Sequence, residues 1–250
     1  MIIVKTPAEI EKMRISGRMA ATVRDEVAAM VAPGVTTGEL SEFAGKRIKE
    51  LGGESAFLGY RGYPGQICTS VNDEVVHGIP GPLEIEIGDV VSIDVGVRYD
   101  GYIGDTATTV MVGVTDREVI HLVKTTEKAL YVGIAEACAG ARLSNVSHAI
   151  ERTAVEAGLF VVRDFVGHGI GQTMHEDPQV PNFGKSGKGP RLKAGTTIAI
   201  EPMVNIGTAA VDVQADGWTV LTRSGRPSAH FEHTVVVCDG RAEILTLGQE

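Results

Sequence analysis

Two runs rich in β-branched residues, Val90–Arg98 and Tyr102–Val110, flank Asp100-Gly101, and no other stretch constrains the fold as tightly. Asp-Gly is a preferred pair for a two-residue type I′ turn, which needs positive φ at both positions. A hairpin closed there sets Tyr99 against Tyr102, so paired residue numbers sum to 201. Asp94 then lies opposite Ala107, and Asp105 opposite Gly96. Residues two apart share a face, which makes Asp94 and Asp105 diagonal neighbours with backbones about 7–8 Å apart. Asp94 sits in Val-Val-Ser-Ile-Asp-Val, a run apolar enough to be buried. Two like charges in such a place need a cation or a shared proton, whereas a solvent-facing pair needs neither. The aspartic-protease form of a shared proton uses Asp-Thr-Gly, which the chain lacks.

The rest of the chain is organised around this hairpin. Thr6-Pro7-Ala8-Glu9 reads as a capping box with proline at the first helical position. Ile10, Met13, Ala20, Val23, Val27 and Met30 follow at helical spacing, predicting a helix over roughly 7 to 31. Thr36-Thr37-Gly38-Glu39 opens a second helix, stopped by Gly52-Gly53. Thr115-Asp116-Arg117-Glu118 is expected to open a third, reaching about Ala139, and Ser144 to cap a fourth that ends at Gly158. Strand-like sequence follows each helix pair. Gly34 matches Gly140 and Gly52 matches Gly158 at an offset of 106, while Gly88–Asp94 resembles Gly195–Glu201 at 107. Three markers in one order favour internal duplication over chance. The expectation is an α+β fold: a pseudo-twofold, duplicated antiparallel sheet with two pairs of helices on one face. A single domain is expected over 1–250, with halves of about 1–112 and 113–250, and no targeting or accessory N-terminal segment.

Composition narrows the function. A net charge of −9, with no polybasic stretch, argues against specific nucleic-acid binding. The densest basic stretch, Lys185 to Lys193, is broken by Gly and Pro and reads as a solvated loop. Three scattered cysteines without a CxxC exclude a zinc ribbon and suit a reducing, cytoplasmic compartment. No apolar run is long enough for a membrane span, so no membrane partner is expected. Gly167-His168-Gly169-Ile170-Gly171 lacks the dinucleotide-fold spacing, and Gly187-Lys188-Gly189 lacks the Ser/Thr of a phosphate-binding loop.

The second half adds candidate ligands. Glu201 occupies the position equivalent to Asp94, ahead of Pro202, which interrupts strand pairing. Glu232 stands in His-Phe-Glu-His-Thr, and His168 between two glycines that leave its imidazole accessible. Four carboxylates and one imidazole form a hard, oxygen-rich set suited to two divalent first-row ions. The elements Val-Ser-Ile-Asp94-Val, Gly-Asp105-Thr-Ala-Thr-Thr, Gly-His168-Gly-Ile-Gly, Ile-Glu201-Pro-Met and Phe-Glu232-His-Thr, in this order, resemble the methionine aminopeptidases, within the pita-bread metallopeptidases. The resemblance covers nearly the whole chain. Its successive gaps are 11, 63, 33 and 31 residues; the last leaves no room for the helical insertion of type 2 enzymes. With no zinc-binding extension before Thr6, the minimal bacterial-style type 1 form is expected.

This resemblance implies a metallo-exopeptidase, a hydrolase of the creatinase/aminopeptidase-like fold. Two divalent ions (Mn, Fe, Co or Zn) would be held as follows: Asp94 chelates one, His168 and Glu201 hold the other, and Asp105 and Glu232 bridge. The implied reaction removes the initiator methionine from nascent proteins whose second residue is small, by attack of a hydroxide held between the ions. Glu201 would also relay a proton. His77, in Val-His-Gly-Ile-Pro, would lie near the peptide nitrogen, and His175, in Met-His-Glu-Asp-Pro, near the carbonyl oxygen. Tyr60, Tyr63, Cys68 and Trp218 would line an apolar slot for the methionine side chain, with Phe57 beside them. Met174 stands where an aromatic is common. The implied partners are nascent N-termini, with ribosome association open and a monomer expected. The rivals are a Xaa-Pro peptidase of the same fold, which usually carries an extra N-terminal domain, and a metal-free binding module, which would have lost ligands.

Overall fold

The computed structural model describes residues 2–248. Helix α1 (Pro7–Met30) starts where Thr6 accepts the Glu9 N–H while the Glu9 carboxylate accepts the Thr6 N–H. Thr36 and Glu39 repeat that arrangement at α2 (Thr37–Glu50). Strands β1 (Glu54–Ser55), β2 (Cys68–Val71), β3 (Glu74–Val76), β4 (Val90–Tyr99) and β5 (Tyr102–Met111) complete the first half. The second half holds α3 (Arg117–Ala135) and α4 (Leu143–Glu156). After them come β6 (Phe160–Val161), β7 (Gly167–Gly169), β8 (Glu176–Val180), β9 (Thr197–Ile200) and β10 (Met203–Asn205). The last five are β11 (Val211–Val213), β12 (Val220–Thr222), β13 (Ser228–His230), β14 (Glu232–Val236) and β15 (Glu243–Ile244).

Both second-half helices start differently from expectation. Asp116, not Thr115, caps α3, its carboxylate accepting the Glu118 N–H at 2.8 Å. That helix stops at Ala135 instead of near 139, because Cys138 leaves it to pair with Cys238 in an isolated parallel bridge. Ser144 lies inside α4, whose N-cap is Arg142. Its hydroxyl accepts the Lys188 N–H and donates to the Lys188 carbonyl. The Leu143 and Ser144 N–H groups donate to Pro190 and Lys188 carbonyls. A loop from elsewhere in the chain thus satisfies the donors that a capping side chain would otherwise take.

The hairpin forms with the expected register: ten pairs run from Val90↔Met111 to Tyr99↔Tyr102, including Asp94↔Ala107 and Gly96↔Asp105. Asp100 (φ 46°) and Gly101 (φ 80°) both take the left-handed region that a type I′ turn demands. The nine-stranded sheet runs β1-β4-β5-β14-β9-β7-β8, with β2 also on β4 and β15 on β14. The halves join where β5 meets β14, at Ala107↔Glu232 and Thr106↔His233. The repeated glycines hold matching conformations. Gly34 and Gly140 have φ of 87° and 85°, Gly52 and Gly158 84° and 77°, and Gly88 and Gly195 106° and 84°.

Residue parity divides the sheet into two faces. Val91, Ile93, Val95 and Val97 of β4 pack against Ala20, Val23 and Val27 of α1 and Leu40, Ala44 and Ile48 of α2. Ile198, Ile200 and Val235 pack in the same way with Leu122, Leu130, Val146 and Ile150 of α3 and α4. The alternate residues, Asp94 and Glu232 among them, therefore face away from the helices. Two three-stranded sheets, β13-β10-β6 and β11-β12-β3, complete the fold.

Candidate metal centre and substrate cavity

On the helix-free face, strand pairing lines up a row. Cys68 is opposite Asp94, Asp94 opposite Ala107, and Ala107 opposite Glu232. Small Ala107 leaves the space between the two acids open. Asp105, two residues from Ala107, shares that face. On β14's other side, His233 pairs with Ile200, so the next position, Glu201, comes beside Glu232. His168 of β7 pairs with Ala199 on the same strand β9.

The five side chains converge. His168 Nε2 is 3.5 Å from Glu201 Oε1 and 3.8 Å from Asp105 Oδ2. One donor atom each from Asp105, His168 and Glu232 fall within 4.8 Å of one another. Asp105, His168 and Glu232 are 4%, 6% and 2% exposed. Asp94 Oδ1, Asp105 Oδ1 and Glu232 Oε1 are buried without a hydrogen-bond partner. Buried carboxylate oxygens left unpaired are costly. Burial, then the neighbouring negative charges, push Asp94, Glu201 and Glu232 well above the usual carboxylate range, and burial raises Asp105. Protons thus take the place of positive charge in this cluster. His168 contacts the Gly169 carbonyl through Nδ1 at 2.9 Å. A carbonyl can only accept, so Nδ1 carries the hydrogen and Nε2 turns a lone pair to the acids. Burial and the nearby His175 lower its pKa to about 3. Unpartnered oxygens and an inward lone pair fit a site for divalent cations.

Above these acids lies a cavity of about 270 Å³. His77, His175, Tyr60, Tyr63, Cys68 and Trp218 all line it, as do Phe57 and Met174. Every site residue expected from the sequence therefore meets at one cavity. Tyr63 turns its hydroxyl away, donating to the Gly78 carbonyl at 2.8 Å, and presents its ring edge-on to Trp218, centroids 5.1 Å apart. Burial raises the Cys68 thiol pKa and keeps it neutral. A Cβ at Gly96 would stand 2.6 Å from Phe57 and 3.0 Å from Met174, so glycine there makes room for both.

The two other histidines are held firmly. His77 adopts φ 60°, strained for a bulky residue, with Phe165 and Trp218 edge-on at 5.5 and 6.2 Å. Burial and His175 lower its pKa to about 4. His175 lies 4.3 Å from the His168 ring, and its Nδ1 meets the Tyr60 hydroxyl at 2.7 Å. Burial and Arg61 lower its pKa. Its loop is anchored by a buried ion pair between Lys5 and Glu176, and Glu176 also accepts the Gln172 N–H at 3.0 Å.

Phe165, Arg61 and His230 are among the residues near the site that escaped sequence reading. Phe165 stands three residues before His168, and Arg61 follows Tyr60; both line the cavity. His230 is 2% exposed, with Nε2 3.8 Å from Glu201 Oε2. Strand alternation from Glu232 was an available signal for His230.

A duplicated antiparallel sheet backed by paired helices, with buried carboxylates and a histidine beneath an apolar cavity, defines a pita-bread metal-dependent peptidase. The model of metallopeptidase family M24 matches residues 11–239. Methionine aminopeptidase 1 of Bacillus subtilis is 48% identical over 246 residues, covering 98% of this chain and 99% of that one. A crystal structure of the Thermotoga maritima methionine aminopeptidase superposes with a TM-score of 0.97 at 46% identity, covering 99% of this chain and 100% of that one. A prolidase from Pyrococcus furiosus, at 22% identity and a TM-score of 0.80, shares the fold, and the match covers 99% of this chain and 66% of that one. The chain belongs to metallopeptidase family M24, and within it to the methionine aminopeptidases.

Proposed function

We propose that this chain is a dimetal aminopeptidase that removes the initiator methionine from nascent proteins when the second residue is small. The observation that carries this reading is the cavity whose one end is a buried acid cluster with unpartnered oxygens and whose other walls join apolar side chains such as Tyr63, Cys68, Met174 and Trp218 to the imidazoles of His77 and His175. In this reading Asp94, Asp105, His168, Glu201 and Glu232 would hold two divalent ions. Those ions would supply Lewis acidity toward the scissile carbonyl and toward an attacking water.

The side chains do the remaining work. Tyr63, Cys68 and Trp218 receive the methionine side chain, whose thioether suits an apolar wall with a polarizable sulfur. Tyr60 supports both the slot and His175. The Tyr60 hydroxyl and His175 Nδ1 are 2.7 Å apart; in this reading the hydroxyl donates, placing the His175 hydrogen on Nε2, where it can donate to negative charge developing on the carbonyl oxygen. His77, neutral because its pKa is low, is suited to bind near the peptide nitrogen without adding charge. Glu201 carries a proton to the leaving amine. A slot for one buried side chain can also exclude bulk at the next position by clash.

A peptide panel with added divalent metal tests the reading. Met-Ala-Ser should be cut, while Met-Lys-Ser and Ala-Pro-Ser persist. Cleavage of Ala-Pro-Ser instead would indicate a Xaa-Pro peptidase, and equal rates across second residues a general aminopeptidase. Among the described residues no helix is long and apolar enough to cross a membrane. Action in the cytoplasm as a monomer, on chains still at the ribosome, completes the proposal; sedimentation and ribosome co-pelleting test it.

A further inference from the structure

We propose that His230 is a positioning residue for Glu201, its Nε2–H donating to Glu201 Oε2 and thereby fixing how the carboxylate faces the metal centre. The inference rests on Glu201 belonging to that centre.

A buried, unpartnered nitrogen faces the Glu201 carboxylate. His230 ends β13, is 2% exposed, and its Nε2 has no hydrogen-bond partner. Glu201 Oε2 is 3.8 Å away. Among the described residues no hydrogen bond reaches the Glu201 carboxylate; Asn182 holds only its main-chain carbonyl, at 2.9 Å. A separation of 3.8 Å exceeds hydrogen-bond length, so the proposed bond requires the carboxylate to turn toward His230.

The surroundings leave His230 as the donor. The carboxylate lies between two imidazoles, with His168 Nε2 3.5 Å from Oε1. Since His168 donates through Nδ1 to Gly169, its Nε2 has no hydrogen to give. His230 cannot easily withdraw. Its N–H donates to Thr109 Oγ1 at 3.0 Å, and its carbonyl accepts from the same hydroxyl at 2.7 Å. With Oε1 directed to the His168 side, the second oxygen needs its own partner. Such outer partners orient ligand carboxylates and commonly change metal affinity or activity by about 10–100-fold.

The test compares His230→Leu, which removes the donor, with His230→Gln, which keeps one. Cobalt(II) alone is titrated into the metal-free proteins by calorimetry, and its visible absorption bands are recorded. His230→Leu should weaken cobalt binding by about 10–100-fold, shift the bands, and lower kcat with little change in KM for Met-Ala-Ser. His230→Gln should recover most of each. Unchanged cobalt binding and kcat in His230→Leu would overturn the inference. So would a His230→Gln protein as impaired as the leucine variant, because side-chain volume would then be the cause. If His230→Leu does not fold, long-range ¹H–¹⁵N spectra of the unaltered metal-free protein decide. The Nε2–H tautomer of His230 is expected, and Nδ1–H would refute the role. Glu201→Gln separates the two levels. If it too leaves cobalt binding intact, the assignment of Glu201 fails; if it weakens binding while His230→Leu does not, only the role of His230 fails.

Discussion

Asp105 occupies the densest point of the acid cluster, and its main chain is doubly tied to strand β14. Its N–H donates to Thr234 Oγ1 at 3.0 Å, and its carbonyl accepts from that hydroxyl at 2.8 Å. This leaves the carboxylate rigidly directed at its neighbours. Asp105→Asn removes one carboxylate of the proposed ligand set without changing shape. It should bind less than its full complement of metal and lose nearly all turnover, as metal analysis and kcat would record; full activity with two ions bound would refute the shared role. His175 makes a different prediction, because it is proposed to act on the substrate. His175→Ala should retain both ions and lose ~10²–10³ in kcat, with KM changing much less. Tyr60→Phe, which keeps the ring and removes the donor to Nδ1, should lower kcat in the same direction by roughly tenfold, the value of one hydrogen bond. A metal-poor His175→Ala protein would instead make His175 a ligand.

At the scale of elements, helix α1 crosses β5 at a glycine-to-glycine contact. A Cβ at Gly104 would stand 2.5 Å from the Gly17 Cα, and one at Gly17 would stand 2.4 Å from the Leu245 carbonyl. Backbone on both sides cannot move aside as a side-chain tip can. Gly104→Ala should therefore cost about 1–3 kcal/mol or more, lower Tm, and loosen metal binding through adjacent Asp105. Gly240 has nothing within 4 Å of its would-be Cβ, so Gly240→Ala should stay within about 0.5 kcal/mol of the parent. Equal melting temperatures for the two variants would show that α1 yields at the crossing. The same scale shows how far local sequence reaches. Both first-half caps lie within four consecutive residues and were legible. The starts of α3 and α4 were misplaced, the latter because its first donors bind residues 188–190, more than forty positions away.

For the whole molecule, the buried acids link stability to pH and metal. His77, His168, His230 and His233 have pKa values held low in the folded state, mainly by burial. Their contribution rises with pH and is complete above the ordinary imidazole value of about 6.5. The acids act oppositely. Folded Asp94, Glu201 and Glu232 retain protons that the unfolded chain has released by about pH 5. While the folded acids keep those protons, the metal-free native state binds more protons than the unfolded chain and its stability falls as pH rises; Asp105, raised by burial to about 7, brings that fall to neutral pH. Calorimetry from about pH 6.5 to 8.5 should show Tm declining in chelator and nearly level with manganese, which displaces those protons. A level metal-free profile would mean the acids do not hold protons in the fold. We also propose that residues 1–250 form one duplicated domain with halves of about 1–112 and 113–250. A single unfolding transition would support it, and two separable ones would count against it.

What the sequence determined by itself was whatever depends on near neighbours. The Asp-Gly turn and the two-residue strand period set the register that puts Asp94 and Asp105 on one face, and repeated glycine turns marked the two halves. Tertiary structure decided which distant partners meet. β14 docks on β5 so that Glu232 lies opposite Ala107, a loop near residue 188 starts α4, and His230 faces Glu201 from a different sheet. The physical reason is range. Turn torsions and strand alternation act over a few bonds and are written in adjacent residue types. The approach of separate strands is set by packing the whole apolar interior, which no short stretch of sequence encodes.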